Sequence, residues 1–492
     1  MILVMEGECS LEQMMQIQPE RTRKLAQALL LLGLSLGYFM VLLDMTVVSV
    51  ALPAIRADLG GGIAGLQWVV NAYTIVFAGL LLSMGAIADK LGAKRVYIGG
   101  LALFLIASGT SAAAPSLGLL IGLRAVLGVG GAALLPASLS LFAHTFPEPA
   151  RRARALGIWA AVTGIAMASG PVIGGLLVDT LGWRSIFLLN VPLALISLIM
   201  TMQLVGETDR HAQRSFDLSG QVSAIAGIVA LSFALMEGES WGWRSPIIIG
   251  AFGLALLCAV TFLRVEARGK TPLLPLRLFR NPTVSAGMLA GMAINIGISG
   301  ILFILPLYWE QIRGLSAHMA GLALLPMMVP MAFNPIFTGR IVARIGARIP
   351  MTIGFGLGAV GTLLQLGVDR NSGYTLTLVG LLLIGFGVSL TVPALMAAVI
   401  SAVPKEQTGA ASGALNSTRQ LGATLGVAIL GAMLSGSQSF MAGMQMSLAV
   451  TAVILLGGSV FSFLFYWAHE GVRQVCAKRH HPSATGVGVT VG

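Results

Sequence analysis

Residues Leu36–Ile55 read LGYFMVLLDMTVVSVALPAI, an apolar run with one carboxylate, Asp44, inside it. About 20 such residues suffice to cross a bilayer as a helix. An Asp near the middle of a membrane helix costs roughly 2.5–3.5 kcal/mol on insertion scales. The rest of the chain keeps charge out of its apolar runs, which favours a task for Asp44, a proton site facing a watery cavity. The bland alternative is an idle carboxylate near a helix end. Pro53, near the end of this stretch, is expected to end or kink the helix.

The whole chain repeats the pattern. Its 492 residues are 56% hydrophobic and 10% charged, with a mean hydropathy of +0.89. Soluble domains carry about 25% charge. Fourteen apolar runs follow one another from Leu25–Ala51 to Met446–Ala468, the tenth being Ala317–Gly339 and the thirteenth Ser412–Leu434. The expected fold is all-α and integral to the membrane. Met1–Val4 is too short for a signal-peptide core, so residues 1–24 read as a cytoplasmic tail.

The net charge of +11 raises the question of nucleic acid, and its distribution answers it. Twenty-three of the thirty Lys and Arg fall in the two tails and the even-numbered loops, five on the opposite side, and Arg124 and Arg419 within runs. This is the positive-inside pattern of a multi-pass protein of the cytoplasmic membrane with both termini inside. The basic excess is topology, and no nucleic-acid partner is expected. Cys9, Cys258 and Cys476 are scattered and imply no disulfide or metal framework.

An internal repeat sets the domain organisation. Gly85, Lys90, Gly92 and Lys94 recur as Gly339, Arg344, Gly346 and Arg348, a constant 254 residues later. Each set follows the second run of a six-run block. Two related six-helix bundles are therefore expected, residues 25–205 and 283–468, with two inserted helices and their linkers over 206–282 and a cytoplasmic tail over 469–492. Parallel repeats of this kind typify one class of secondary transporter, with the binding site between the halves. Asp89 can pair with a cation or a helix N-terminus at the membrane edge, and the second copy has Ala343 there. A lock built on Asp89 would be one-sided; the alternative is an ordinary charged loop.

Other polar or small residues in the runs are site candidates. Arg124 in run four needs a partner, Asp44 being the obvious one, unless it snorkels to an interface. Run five carries Gly164, Gly170-Pro171 and Gly174-Gly175, and should bend at Pro171. Trp68 and Tyr73 read as interface anchors, and Glu310 as solvated. Tyr38, Asn71, Asn295, Tyr308, Asn334 and Arg419 are candidate cavity groups. Arg419 could equally cap nearby carbonyls. Asp217 should cap the helix that follows it. The tail from Arg473 reads as disordered, and its His480-His481 is too thin for a metal claim.

With these residues in place, the chain resembles the fourteen-helix drug:proton antiporter branch of the major facilitator superfamily. Leu43–Pro53 resembles the branch's first-helix motif and Gly85–Arg95 the superfamily loop motif. Arg124 with Gly128 resembles the fourth-helix motif, Gly164–Gly175 the fifth-helix antiporter motif, and Trp183-Arg184 with Asn190-Val191-Pro192 is typical of the branch. The resemblance implies two bundles that rock about a central site, and efflux of amphipathic drugs or antibiotics driven by inward proton flow. It implies that Asp44 and Arg124 serve coupling. It gives the cytoplasmic gate to Gly85, Asp89, Lys90, Gly92 and Arg95, and antiport to Gly164, Gly170, Pro171, Gly174 and Gly175. Leu127 and Ser49 depart from the branch, which often has Gln and Asn there, and so affect substrate-side hydrogen bonding. Few acidic residues line the runs, which makes strongly cationic drugs poorer candidates than neutral or weakly charged ones.

Two other classes of function are weaker. A membrane enzyme would need a clustered nucleophile, base or metal set, and the six His lie at loops, helix ends and the tail. An ATP-driven pump would need a Walker motif, which the sequence lacks. A facilitator or importer of another metabolite on the same scaffold stays open. No catalytic residue, metal or cofactor is expected. The proton gradient would supply the energy, the partners being a small molecule, protons and lipid, and the protein acting as a monomer.

Overall fold

The computed structural model describes residues 20–146, 148–207, 217–269, 274, 276–404 and 407–479. Residues 208–216 of the expected linkers over 206–282, His480-His481 and most of the amino tail fall outside them. The described residues form helices and connecting turns. The first group is α1 (Glu20–Leu59), α2 (Ile63–Leu91), α3 (Ala93–Ala112), α4 (Leu117–Thr145), α5 (Pro149–Leu181) and α6 (Ser185–Leu204). A pair follows, α7 (Leu218–Trp241) and α8 (Pro246–Arg268). A short 3-10 turn, Leu276–Arg280, leads to α9 (Pro282–Leu307), which a π-helical turn, Tyr308–Ile312, prolongs. Then come α10 (Ala317–Ala323), α11 (Leu325–Phe333), α12 (Pro335–Ile345), α13 (Arg348–Leu366), α14 (Tyr374–Ser401), α15 (Thr408–Ser435) and α16 (Phe440–Arg479).

Hydrocarbon offers backbone groups no hydrogen-bond partner, so helices that satisfy their own are forced on these runs. Side chains start several of them. Asp217 Oδ1 accepts from the Gly220 N–H at 2.8 Å, Ser245 Oγ from Ile248 at 3.3 Å, and Asn281 Oδ1 from Thr283 at 3.0 Å. Proline opens α5, α8 and α9, where its missing N–H costs nothing.

Twelve helices among the described residues are long and apolar enough to cross a membrane, against the fourteen expected. Two runs account for the difference. Ala317–Gly339 is not one helix but lies in α10–α12, broken at Leu324 and Asn334, where Pro326, Pro330 and Pro335 each withhold an N–H donor. Ser412–Leu434 is one helix, α15, but the polar run Asn416–Gln420 lowers its hydropathy. The prolines inside α1 and α5 do not end these helices, and the expected disorder from Arg473 is corrected. Helix α1 continues through Pro53 to Leu59, and Leu52 and Ile55 beyond its middle are buried. Helix α5 stays helical through Pro171. Helix α16 extends to Arg479, so the tail from Arg473 begins as helix.

The helices pack in two sets. In the first, α1 lies on α5 and α6, α2 on α4, and α3 on α4 and α6. In the second, α9 lies on α15 and α16, and α14 on α13 and α11. The sets meet where α2 touches α15 and α5 touches α10 and α11. Helix α7 packs on both α2 and α15 and carries α8 on its outer side, where Leu254, Leu256 and Leu257 are exposed. Gln221 of α7 donates to the Gly79 carbonyl at 2.6 Å and bonds Ser83, so the inserted pair is tied to α2 by polar groups.

The repeat has a structural counterpart. Gly92 joins α2 to α3 at φ +96°, its N–H on the Ala88 carbonyl at 3.0 Å. Gly346 closes α12 at φ +80°, its N–H on the Val342 carbonyl at 2.9 Å. Both sit in the left-handed half of backbone space, where a Cβ is strained.

Candidate functional site

Asp44 and Arg124 form an ion pair inside the first set of helices, both side chains 1% exposed. Arg124 Nη1 holds Asp44 Oδ2, and its Nε donates to the Val69 carbonyl at 2.9 Å. The guanidinium lies 4.6 Å from the centre of the Tyr73 ring. Asn190 Nδ2 donates to Asp44 Oδ1 at 3.1 Å and to Ser108 Oγ at 3.1 Å. A buried ion pair survives only when its spare lone pairs and protons are met. The Val69 carbonyl of α2 and the Asn190 amide of α6 meet part of that need for this pair, which itself joins α1 to α4.

Between the two sets lies a cavity of about 570 Å³. Tyr38, Thr46, Tyr73 and Trp159 line it from the first set, and Asn295, Phe303, Asn416 and Arg419 from the second. Arg124 reaches its wall, but Asp44 does not line it. The carboxylate expected to face a watery cavity is sealed behind the guanidinium. The Tyr38 and Trp159 rings stack with centroids 5.0 Å apart.

One end of the cavity is shut. Gln67 Nε2 of α2 donates to the Val427 and Ala428 carbonyls of α15 at 2.7 and 3.0 Å. Asn71 Nδ2 donates to the Thr424 carbonyl at 3.2 Å. Across the other seam, Asp179 of α5 accepts from the Ala317 N–H at 3.1 Å and the His318 N–H at 2.8 Å, capping α10. Glycine makes this seam close. A Cβ on Gly175 would stand 2.3 Å from the Ala317 carbonyl oxygen, and one on Gly321 2.1 Å from that of Pro171. All of these groups lie toward the end marked by Leu59 and Leu181. Tyr38, Leu81 and Trp159 extend the cavity toward the opposite end, that of the α2–α3 turn.

The other expected site residues divide. Tyr38, Asn295 and Arg419 line the cavity. Asn71 does not: it is wholly buried and ties α2 to α15. Tyr308 lies elsewhere, its hydroxyl donating to the Asp369 carbonyl at 2.7 Å. Asn334 donates to Ser389 Oγ at 2.8 Å between α11 and α14. Glu310 is not solvated but partly buried, with Oε1 lacking a partner among the described residues. Gly164 faces the Ala332 carbonyl of α11, while Gly170 and Gly174 face Thr46 and Val47 of α1. Pro171 supplies the carbonyl that Gly321 approaches. Gly85 packs near Pro136 of α4, Asp89 and exposed Lys90 end α2, and Arg95 pairs with Glu207 at 3.3 Å near the surface.

Sequence reasoning missed Tyr73, Asn190, Gln67, Asp179 and Trp159. Tyr73 is no interface anchor: it is 0% exposed beneath Arg124. Asn190, a lone amide in an apolar run, carried the same signal as Asp44 in weaker form.

A profile of the Major Facilitator Superfamily matches residues 34–427. The methylenomycin A resistance protein of Bacillus subtilis (strain 168) is 36% identical over 442 residues, 90% of this chain and 95% of that protein. The multidrug resistance protein Stp of Mycobacterium tuberculosis (strain CDC 1551 / Oshkosh) is 37% identical over 409 residues, 83% of this chain and 76% of its own. Among solved structures, a D323A mutant of the nucleoside transporter NupG superposes with a TM-score of 0.64 at 13% identity, covering 88% of this chain and 98% of that one. That likeness concerns the fold alone.

Proposed function

The chain belongs to the Major Facilitator Superfamily, and on that premise we propose that it exports drug-like amphipathic molecules across the cytoplasmic membrane, driven by proton entry. The relatives named for drug and antibiotic resistance support export of drugs. The observation that carries the coupling is the buried Asp44–Arg124 pair, whose Arg124 reaches the wall of the central cavity. In this reading α10–α12 together count as one membrane crossing and α15 as another. That makes fourteen spans, in two bundles over 25–205 and 283–468, with an inserted pair. The Lys and Arg asymmetry supports a topology with both termini inside. The shut end is then extracellular, and the cavity opens toward the cytoplasm.

The cycle follows from the charges. Substrate enters from the cytoplasm while Asp44 is ionised and held by Arg124. The bundles rock, the Gln67 and Asp179 seams part, and substrate leaves outward. A proton from outside then lands on an Asp44 oxygen, and the neutral carboxyl loses its charge attraction to Arg124. The return stroke exposes the pair to the cytoplasm, the proton leaves, and the ion pair re-forms. Protein-loaded vesicles with an imposed pH gradient test this reading. Wild type should move drug against its gradient only while the pH gradient lasts. Asp44→Asn should bind drug but give no pH-driven flux, and full proton-driven transport by that variant would falsify the role.

A further inference from the structure

The cavity holds a cation with no counter-charge. Its lining includes two guanidiniums, Arg124 and Arg419, and no carboxylate. Arg124 is neutralised from behind by Asp44. Arg419 makes no ion pair among the described residues. Its Nε donates to Asn295 Oδ1 at 3.3 Å and its Nη1 to Asn416 Oδ1 at 3.4 Å, both long. A guanidinium has five N–H donors, so three are left without a protein partner among the described residues. The side chain is nonetheless held in place. Its stem passes Gly291 on α9, where an added Cβ would stand 3.0 Å from Arg419 Cγ.

Two neighbouring buried polar atoms are unpaired too. Trp159 Nε1 and the Tyr73 hydroxyl both lack a partner among the described residues, and both residues line the cavity. An indole nitrogen can only donate. A fixed cation and unspent donors in an apolar chamber form the complement of an acceptor-rich anion. The stacked Tyr38–Trp159 pair offers a flat apolar plate for the rest of such a molecule.

We propose that the exported substrates are amphipathic organic anions, flat or aromatic bodies bearing one acidic group, with that group bound by Arg419. The inference rests on the export reading and narrows its substrate class. A lipophilic cation would meet a like charge and find no carboxylate. A neutral drug could offer Arg419 acceptors but no counter-charge.

Binding to the purified full-length protein in detergent tests this without any proton gradient, so it can fail while coupled export stands. The probes are 9-anthracenecarboxylate and 9-anthracenecarboxamide, one ring system with and without the charge. Isothermal titration at pH 7 should show wild type binding the carboxylate at least about tenfold tighter than the amide, the scale of one charge-assisted hydrogen bond. Arg419→Gln should erase that preference, leaving amide affinity within about twofold, and Arg419→Lys should keep most of it. Equal binding of the two probes by wild type, or binding of neither, overturns the proposal even if no variant folds. So does a folded Arg419→Gln protein that keeps the full preference.

Discussion

Asn190 on α6 donates a hydrogen bond to Asp44 Oδ1 on α1 at 3.1 Å, while Arg124 on α4 holds the other oxygen. All three residues belong to one helical set, so rocking one set against the other need not break the cluster. The chemical event that can break it is a change of charge. In the proposed cycle, carrying the titrating group within one body lets protonation and bundle motion be linked without a long relay.

Asn190→Leu removes one donor from a buried carboxylate and leaves Ser108 Oγ without its amide. Hydrogen bonds to charged groups are worth about 1.5–3 kcal/mol. The variant should unfold several degrees lower in detergent and transport more slowly. An unchanged melting temperature with an unchanged rate would show that Asn190 is a bystander.

The ion pair itself should show strong non-additivity. Removing one member of a buried pair strands the other and costs roughly 3–5 kcal/mol. Arg124→Gln and Asp44→Asn should each destabilise by about that much, Asp44→Asn less if the Val69 carbonyl and the Tyr73 ring cushion the cation. The double variant should lose much less stability than the sum of the two single losses. A double-mutant cycle read from thermal unfolding checks this, and additive losses would show the pair uncoupled.

Much of this was legible because lipid leaves few options. Apolar runs must be helices, and opposite charges inside them must find each other, so Asp44 and Arg124 could be paired on sequence alone. What was not legible depends on rotation and depth. Tyr73 has the composition of an interface anchor, and only the packing of α2 on α4 turns it beneath Arg124. Asn71 and Asn334 face neighbouring helices rather than the cavity, which a linear pattern cannot decide. The break in α10–α12 was written in Pro326, Pro330 and Pro335, but a hydropathy window averages over such punctuation.

The closed seam should be weakened by Asp179→Ala, which uncaps α10. A helix cap contributes about 0.5–2 kcal/mol, enough to move a balanced open–closed equilibrium several-fold toward the open form. Thr74→Cys places a thiol on the cavity wall. An impermeant maleimide added to the face bearing Leu181 should label that thiol several-fold faster when Asp179→Ala is also present. Equal labelling rates would show that the cap does not hold the seam.

The two halves should be equivalent in backbone strain and unequal in function. Gly92 and Gly346 hold positive φ angles at matched positions, and an alanine there costs about 1–3 kcal/mol. Gly92→Ala and Gly346→Ala should therefore lower the melting temperature by similar amounts. Gly99→Ala, inside α3 with open space around it, should raise stability by up to about 1 kcal/mol. The acidic position breaks the symmetry, with Asp89 in one copy and Ala343 in the other. Asp89→Asn should slow transport with little change in melting temperature. Asp at position 343 should not rescue it, because a gate contact on the first half must be made from that half. Matched stability losses at the glycines with rescue from position 343 would mean that the two turns are interchangeable, and that the gate is set by charge rather than by place.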